Sequence, residues 1–271
     1  MPPFTVVVHP MNVNFMNNNW RLLFTPDVDP YMNMAIDEAL TRKCIDSEDR
    51  PAAIRFYTWK ETSCSIGYFQ KIESVLKTLK DKSVPIVRRP TGGGIVFHGN
   101  DITFSIVKGR TPGNRLEDIS YFYELIGKSI SGGLERLGFT CTFYLPEKAA
   151  HHSEPKIKPL NNHLAQQSFC SVTPAMYDIL INGSKVAGYA ARKSQGVILC
   201  QGYLDVFKDW KRKYRNSRTK IINLLFDNLA SSFKNVFGIT FTLAQLTEEE
   251  KALAYKIRDK KYACNEWNYR R

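Results

Sequence analysis

The chain lacks the features that would place it in a membrane or outside the cell. It has no run of about 18 apolar residues, so no transmembrane helix is predicted. The stretch before residue 19 has neither a basic n-region nor a small-residue cleavage site, which argues against a secretory signal peptide. We therefore predict a cytoplasmic protein in which residues 1–18 form a flexible tail, with Met16 as an alternative start.

Cysteine and histidine are too scattered in the sequence to predict a metal centre. The six cysteines form no Cys-x-x-Cys pair and have no histidine at metal-ligand spacing, so neither a zinc site nor a disulfide framework is predicted. His151 and His152 are adjacent, and adjacent side chains point apart. We expect no metal, and cysteines that are mostly buried free thiols.

The chain has fewer acidic residues than basic ones. The chain has 38 Lys and Arg residues against 26 Asp and Glu, a net charge of +12, which favours an acidic partner. A hydrophobic content of 43% fits a globular protein. Nucleic acid, anionic lipid and an acidic protein all satisfy the charge, but no aromatic-plus-basic motif of an RNA-binding module is present. Nucleic acid is therefore the least favoured partner, and no membrane association is predicted.

The pattern of strands and helices predicts an α+β fold with a mixed, mostly antiparallel β-sheet and flanking helices. Asn182-Gly183 between two apolar runs indicates a hairpin, and Asp29-Pro30 indicates the start of a helix in which Asp37 and Glu38 are expected to be solvated. The alternating run from Asp101 to Val107 predicts a half-buried strand beside the one ending at His98. We expect one domain over residues 19–271, with a basic helical segment from about residue 207.

A glycine-rich turn stands at the centre of the sequence. The segment Val87 to His98 reads as a strand, the run Arg88-Arg89-Pro90-Thr91-Gly92-Gly93-Gly94, and a second strand. Three glycines allow the main chain to approach a ligand closely, which suits either an anion or an acyl chain. A Walker phosphate loop is excluded because no lysine follows in register and the glycines lead into Ile-Val-Phe. A glycine-rich turn without a ligand is the alternative.

Cys170 and Lys185 are candidate catalytic residues. A cysteine attacks as its thiolate, so a nucleophilic cysteine needs a nearby positive charge to lower its pKa. Lys185 stands on the return strand of the hairpin at Asn182-Gly183 and is placed to supply that charge. A packed free thiol and a solvated lysine are the alternative reading.

These motifs together resemble the biotin/lipoate protein ligase superfamily, in its lipoate ligase and octanoyltransferase branch. The resemblance rests on Arg88 to Gly94 with His98 and on Asn182 to Ala190, and it covers about residues 20–206. The run Cys170-Ser171-Val172-Thr173-Pro174, with Tyr177-Asp178 and Gly183-Ser184-Lys185, is similar to the cysteine-dependent octanoyltransferases. It implies Cys170 and Lys185 as catalytic residues. The substrate-binding residues that it implies are Arg88, Arg89, Thr91, Gly92, Gly93, Gly94, His98, Gly188 and Ala190.

The resemblance implies two alternative chemistries. An octanoyltransferase takes octanoyl from acyl carrier protein onto a cysteine and passes it, without ATP or another cofactor, to a lysine of a lipoyl domain or a glycine cleavage H-type protein. A lipoate-protein ligase instead activates lipoate with ATP and Mg as an adenylate. The transferase is our preferred prediction, as a monomer, and the basic stretch Lys208 to Lys220 is expected to attract its acidic partners.

Overall fold

The computed structural model describes residues 18–79, 83–110, 113–144, 177–207 and 217–270. The strands of this part of the chain are β1 (Asn19–Val28), β2 (Ala53–Trp59), β3 (Ser63–Ile66), β4 (Ile86–Arg88), β5 (Val96–His98), β6 (Ile102–Gly109), β7 (Cys141–Phe143), β8 (Ile179–Ile181), β9 (Ser184–Ser194), β10 (Val197–Leu204) and β11 (Thr240–Leu243). The helices are α1 (Pro30–Asp46), α2 (Ile72–Thr78), α3 (Ile119–Glu135), α4 (Arg218–Phe237), α5 (Glu248–Ile257) and α6 (Asn265–Asn268).

The described strands form two sheets. The larger has eight strands in the order β11-β1-β2-β6-β10-β9-β8-β7, and the smaller has three in the order β4-β3-β5. In the larger sheet β1 pairs in parallel with β2 and β11, and the other pairs are antiparallel. The predicted α+β fold with a mixed, mostly antiparallel sheet and flanking helices is therefore confirmed.

Helices cover both faces of the larger sheet. One face packs on α3 and α4 through a large apolar core that includes Phe104 and Phe233. The other face packs on α1, with α5 outside it, through a second core that includes Met34 and Leu199. The smaller sheet has its own apolar cluster with α2. The arrangement leaves the α1 face of the larger sheet opposite the smaller sheet, and the candidate site lies there.

Helix α1 begins where the sequence predicts and is buried more completely than expected. The Asp29 carboxylate accepts hydrogen bonds from the N–H groups of Tyr31 and Met32, as an N-cap does. The prediction of a solvated Asp37 is wrong, because its side chain is fully buried against the larger sheet. Glu38 is also largely covered, with 13% of its side chain exposed. Helix α1 is packed on two sides, so an acid can lie off the apolar face and still be buried.

The predicted place of β6 is also wrong. All eight of its residues are buried, and it pairs with β2 and β10 in the larger sheet. Strand β5, which ends at His98, belongs to the smaller sheet and pairs with β3. The alternation of polar and apolar residues in β6 does not mark a solvent face, because its polar side chains face a buried site.

Two predicted local signals are confirmed. Asn182 and Gly183 have φ values of 50° and 75°, as the primed turn of a two-residue hairpin requires. The sequence Thr247-Glu248-Glu249-Glu250 predicts a capping box, and Thr247 and Glu250 form one reciprocally at the start of α5. Among the described helices, none is long and apolar enough to cross a lipid bilayer. The proposed tail of residues 1–18 lies almost wholly outside the described residues, and most of the basic stretch from Lys208 does as well.

Candidate active site

The registers of the larger sheet build one wall of a pocket. Cross-strand pairing aligns two rows of side chains, which are Tyr57, Thr103, Tyr203 and Gly188, and Arg55, Ser105, Gln201 and Ala190. Both rows face α1 and the smaller sheet, because residues two apart on a strand share a face. The pocket that they help to line has a volume of about 380 Å³. It is lined by Met34, Tyr57, Trp59, Ser65, Arg89, Val96, His98, Thr103, Gly188, Tyr189, Ala190, Gln201, Gly202 and Tyr203.

His98 lies in this pocket with both ring nitrogens hydrogen-bonded. Nδ1 is 2.7 Å from Asp101 and Nε2 is 2.7 Å from the Ser65 hydroxyl, and the ring stacks on Trp59. Burial alone would raise the pKa of Asp101, but His98, the Gly99 N–H and the Thr103 hydroxyl together hold it below its ordinary value. Asp101 is therefore ionised and accepts from Nδ1 of His98. The imidazole is held rigidly against the pocket wall.

Arg89 connects this chain of hydrogen bonds to the glycine turn. Its guanidinium donates to Ser65 Oγ at 3.1 Å, to the carbonyl of Gly92 at 2.9 Å and to that of Gly94 at 2.7 Å. The turn itself is partly exposed, and Gly93 has a φ of 94°. Arg89 thus turns two carbonyls of the turn inward and holds its shape.

Arg88 is directed away from the pocket and is fully buried. Its guanidinium donates to the carbonyls of Gly67, Tyr68, Gln70 and Asn268, at distances of 2.7 to 3.2 Å. The predicted substrate-binding role of Arg88 stays a prediction. Its contacts in the structure tie the strand before the glycine turn to the 67–70 turn and to α6.

A second buried network lies beneath the pocket and was not predicted. Asp37 pairs with Arg55 at 2.7 Å and also accepts hydrogen bonds from Ser105, Tyr57 and Gln201. Gln201 in turn accepts from the hydroxyl of the predicted residue Thr91, at 2.8 Å. Four partners surround one carboxylate, and through Gln201 and Thr91 the network joins α1, three strands of the larger sheet and the glycine motif.

The predicted catalytic Lys185 lies at the Gly188 side of the pocket and is buried in an ion pair. Its Nζ is 2.5 Å from Asp178, and 2% of the lysine side chain is exposed. The hairpin brings the two charged residues together, because β9 places Lys185 opposite Leu180, which is two residues along the chain from Asp178. A Cβ on Gly188 would lie 2.8 Å from Nζ, so a larger residue here would displace the ammonium from this position.

The predicted residues therefore divide into four groups, of which one is Arg88 alone, directed away from the pocket. Arg89, His98, Gly188 and Ala190 line the pocket, and Lys185, Thr91 and the Gly92 to Gly94 turn lie next to residues that do. Cys170 lies outside the described residues, so its predicted role stays a prediction.

The sequence reading missed several residues of the pocket, notably Ser65, Trp59 and Gln201. Ser65 and Gln201 are polar residues inside apolar strands, which is the signal that could have found them. Trp59 carries no such signal, because tryptophan is common in strands.

Four of the described cysteines lie in surroundings that disfavour the thiolate. Burial raises the pKa of Cys44 and Cys141 to about 11 and that of Cys64 to about 12, and it raises that of Cys200 as well. These four are inert thiols. Within the described ranges no group of three or more His, Cys, Asp or Glu side chains is arranged to hold a metal ion.

A two-sheet fold that holds a lysine beside a partly apolar pocket, with a glycine turn at its edge, defines the class of the protein as an acyl-handling enzyme of the ligase and transferase type. The lipoyl protein ligase A/B catalytic domain family matches residues 29–233. The chain belongs to that family.

Similar curated proteins carry the name octanoyltransferase LipM. The chain is 30% identical to that of Bacillus subtilis over 93% of its own length and 98% of the relative, and 29% identical to that of Staphylococcus epidermidis over 94% and 100%. Among solved structures, a lipoate-protein ligase A bound with ATP is 25% identical with a TM-score of 0.69, covering 93% of this chain and 98% of that one. The Thermoplasma acidophilum protein Ta0514 with bound lipoic acid is also 25% identical, with a TM-score of 0.68 and coverage of 93% and 98%.

Proposed function

We propose that the protein transfers an octanoyl group to a lysine of lipoyl-domain proteins, through a thioester on Cys170. Support comes from the curated octanoyltransferases at about 30% identity over nearly the whole chain. The observation that carries the proposal is the buried Lys185 ammonium beside Gly188, at the wall of the pocket. The acyl donor is acyl carrier protein, and the acceptor is a lipoyl domain or a glycine cleavage H-type protein.

Two acyl transfers make up the reaction. The Cys170 thiolate attacks the carbonyl carbon of the donor thioester, the carbon–sulfur bond to the donor breaks, and the donor leaves as a thiolate that takes up a proton. The amine of the acceptor lysine then attacks the new thioester, loses a proton, and releases Cys170 as an amide bond forms. A covalent intermediate of this kind divides one difficult step into two easier ones, and the route uses no ATP and no other cofactor.

The described residues contribute binding and electrostatics to both steps. The pocket accepts the octanoyl chain between Met34, Val96 and the Gly188 to Ala190 stretch, and each buried CH₂ contributes about 0.8 kcal/mol. Lys185 supplies a positive charge that stabilises the thiolate and the carbonyl oxygen as it becomes negative. Asp178 holds that ammonium in place through the buried ion pair.

Mass spectrometry of the intact protein tests the proposal. After incubation with octanoyl-carrier protein, we expect a gain of about one octanoyl group, roughly 126 Da, located on Cys170. Cys170→Ser should lose both the adduct and the transfer, whereas Cys264→Ser, a half-buried cysteine elsewhere, should retain both. Full turnover by Cys170→Ser would overturn the thioester route.

A lipoate-protein ligase that uses ATP and Mg is the second candidate. It is favoured by the similarity to the lipoate-protein ligase A bound with ATP, at a TM-score of 0.69. In this reaction the lipoate carboxylate attacks the α-phosphorus of ATP and pyrophosphate leaves, and the acceptor lysine then displaces AMP. Release of pyrophosphate on adding lipoate and ATP, with no product when ATP is omitted, would select the ligase over the transferase.

A further inference from the structure

A second cleft lies on the same face of the larger sheet as the acyl pocket, further along β9 and β10. Pairing continues the pocket rows, because Leu199 faces Arg192 and Val197 faces Ser194 in the same register that aligns Gln201 with Ala190. Arg192 is two residues beyond Ala190, or about 7 Å along the strand. The cleft has a volume of about 650 Å³ and reaches Pro90 of the glycine motif. It is therefore a neighbour of the pocket, and the two have no lining residue in common.

Positive charge dominates the lining of this cleft. Arg42, Arg192 and Lys261 line it, and Glu38 is the one carboxylate of the described lining. Glu38 is already shared by Arg42 at 2.6 Å and Lys261 at 2.5 Å. Among the described residues, Arg192 forms an ion pair with no carboxylate, and its side chain is exposed. Burial lowers the pKa of Lys261, and the charges of Arg42 and Arg192 lower it further against the pull of Glu38.

Beside the cleft, positively charged side chains lie against two aromatic rings, those of Tyr68 and Trp267. The Arg192 guanidinium lies 5.2 Å from the ring centre of Tyr68, and that of Arg270 lies 4.2 Å from Tyr68 and 3.7 Å from Trp267. Lys261 lies 3.8 Å from the same Trp267 ring. Nε and Nη2 of Arg270 are buried and have no hydrogen-bond partner among the described residues. Donors that are desolvated and unpaired cost free energy, which an incoming acceptor would recover.

We propose that this cleft is a binding site for a phosphate ester, with Arg192 and Arg270 as its principal ligands. Guanidinium groups present planar pairs of N–H donors that match phosphate oxygens, and phosphate supplies the negative charge that the lining lacks. The rings of Tyr68 and Trp267 hold the guanidinium groups in place. Residues of the glycine motif and of the end of the chain, far apart in sequence, thus meet at one anion site.

Each of the two candidate functions would bring a phosphate to this cleft. The source of the phosphate therefore rests on the proposed function. An acyl carrier protein holds its acyl group on a phosphopantetheine arm, which contains a phosphodiester. The ligase reaction instead requires the phosphates of ATP. Both present the same chemistry to the cleft, so matched probes with and without phosphate distinguish them.

Calorimetric titration of the full-length protein with two matched pairs of probes tests the site. The pairs are 4′-phosphopantetheine against pantetheine, and ATP against adenosine. We expect the phosphate-bearing member of at least one pair to bind about tenfold more tightly than its partner, and the difference to shrink with added salt. Arg192→Gln and Arg270→Gln should each remove most of that difference. Lys193→Gln is the matched control, because Lys193 is the next residue on β9 and donates to the carbonyl of Glu117.

The probe pair in which the phosphate strengthens binding identifies the ligand of the cleft. If only 4′-phosphopantetheine binds more tightly than its phosphate-free partner, the cleft binds the acyl donor. If only ATP does, the cleft binds a nucleotide. Equal binding within both pairs overturns the proposal, and so does discrimination that survives Arg192→Gln and Arg270→Gln. The Cys170 adduct is measured separately, so phosphate binding without an adduct refutes the transferase and leaves the cleft assigned. An adduct on Cys170 together with equal binding within both probe pairs supports the transferase and overturns the assignment of the cleft.

Discussion

The pocket beside His98 and the cleft beside Arg192 lie on one face of the larger sheet and differ in how their charged side chains are paired. Beside the pocket two buried ion pairs, Asp37–Arg55 and Lys185–Asp178, balance opposite charges, and the Asp101 carboxylate accepts a hydrogen bond from His98. In the cleft Arg42 and Lys261 share a single carboxylate, Glu38, and Arg192 adds a third positive charge to the lining. The two buried pairs are thus internally neutralised, whereas the cleft is left with an excess of positive charge.

The difference between the two regions reflects the free-energy cost of a charged side chain, which depends on how deeply it is buried. A buried charge without a partner costs several kcal/mol, so the ionised groups beside the pocket are held by ion pairs or by several hydrogen bonds that also fix the position of each side chain. A charge near water carries a small cost and remains available to a ligand. Substitutions that remove one charge should therefore have large effects at the pocket and small effects at the cleft.

Asp37→Asn should give the largest effect. It leaves the Arg55 guanidinium fully buried without a negative partner, and we expect the free energy of unfolding to fall by about 3 to 5 kcal/mol. Urea unfolding measures it. Asp46→Asn, at the exposed end of the same helix, is the control and should change little. Equal stability of the two variants would mean that the pair at Asp37 does not hold the pocket together.

Gly188→Ala should lower the rate of acyl transfer by about 100-fold, because the new Cβ would lie 2.7 Å from Cε and 2.8 Å from Nζ of Lys185 and displace the ammonium. Single-turnover kinetics measures the rate. Gly132→Ala makes a clash of the same size with Ser232, at 2.7 Å, far from the pocket. That control should lose stability and keep its rate; a comparable loss of rate in both variants would contradict the role given to Lys185.

His98→Ala should cost about 2 kcal/mol of unfolding free energy at neutral pH, since it removes a charge-assisted hydrogen bond from Asp101. The pKa of Asp101 in the folded protein is lowered, so its contribution is present above the ordinary value of 3.8 and is lost as the pH falls through the lower, folded value. The difference in stability between the wild type and the variant should therefore narrow below about pH 4.

Asp101→Asn provides the control for this pH dependence. In that background the stability cost of His98→Ala should no longer narrow below about pH 4, because the Asp101 carboxylate is absent. Urea unfolding over this pH range measures it. A cost that still narrows in acid would assign the effect to a group other than Asp101.

Glu38→Gln should have the smallest effect on stability and should make the cleft more cationic. We expect a loss of about 1 kcal/mol of unfolding free energy, since Lys261 and Arg42 remain partly in contact with water. The affinity for the phosphate-bearing probe should rise by a few fold. A fall in affinity would contradict the view that charge governs the cleft.

Local sequence signals predicted much of the fold. The N-cap at Asp29, the turn at Asn182-Gly183 and the capping box at Thr247 are confirmed, because each depends on a few neighbouring residues. The family and the α+β class are confirmed as well. Asp37 and β6 were predicted wrongly, since burial depends on what packs against an element and not on its own pattern of residues.

The sequence alone determined the glycine turn, the hairpin that carries Lys185, and the chemical types of residue that an acyl-transfer site requires. Only the tertiary structure decided that Arg88 and Arg89 diverge, one toward the end of the chain and the other into the pocket. It also decided that Asp37 meets Gln201, 164 residues away. Local patterns specify short-range geometry, but such contacts depend on sheet register and helix packing, which long-range pairing sets.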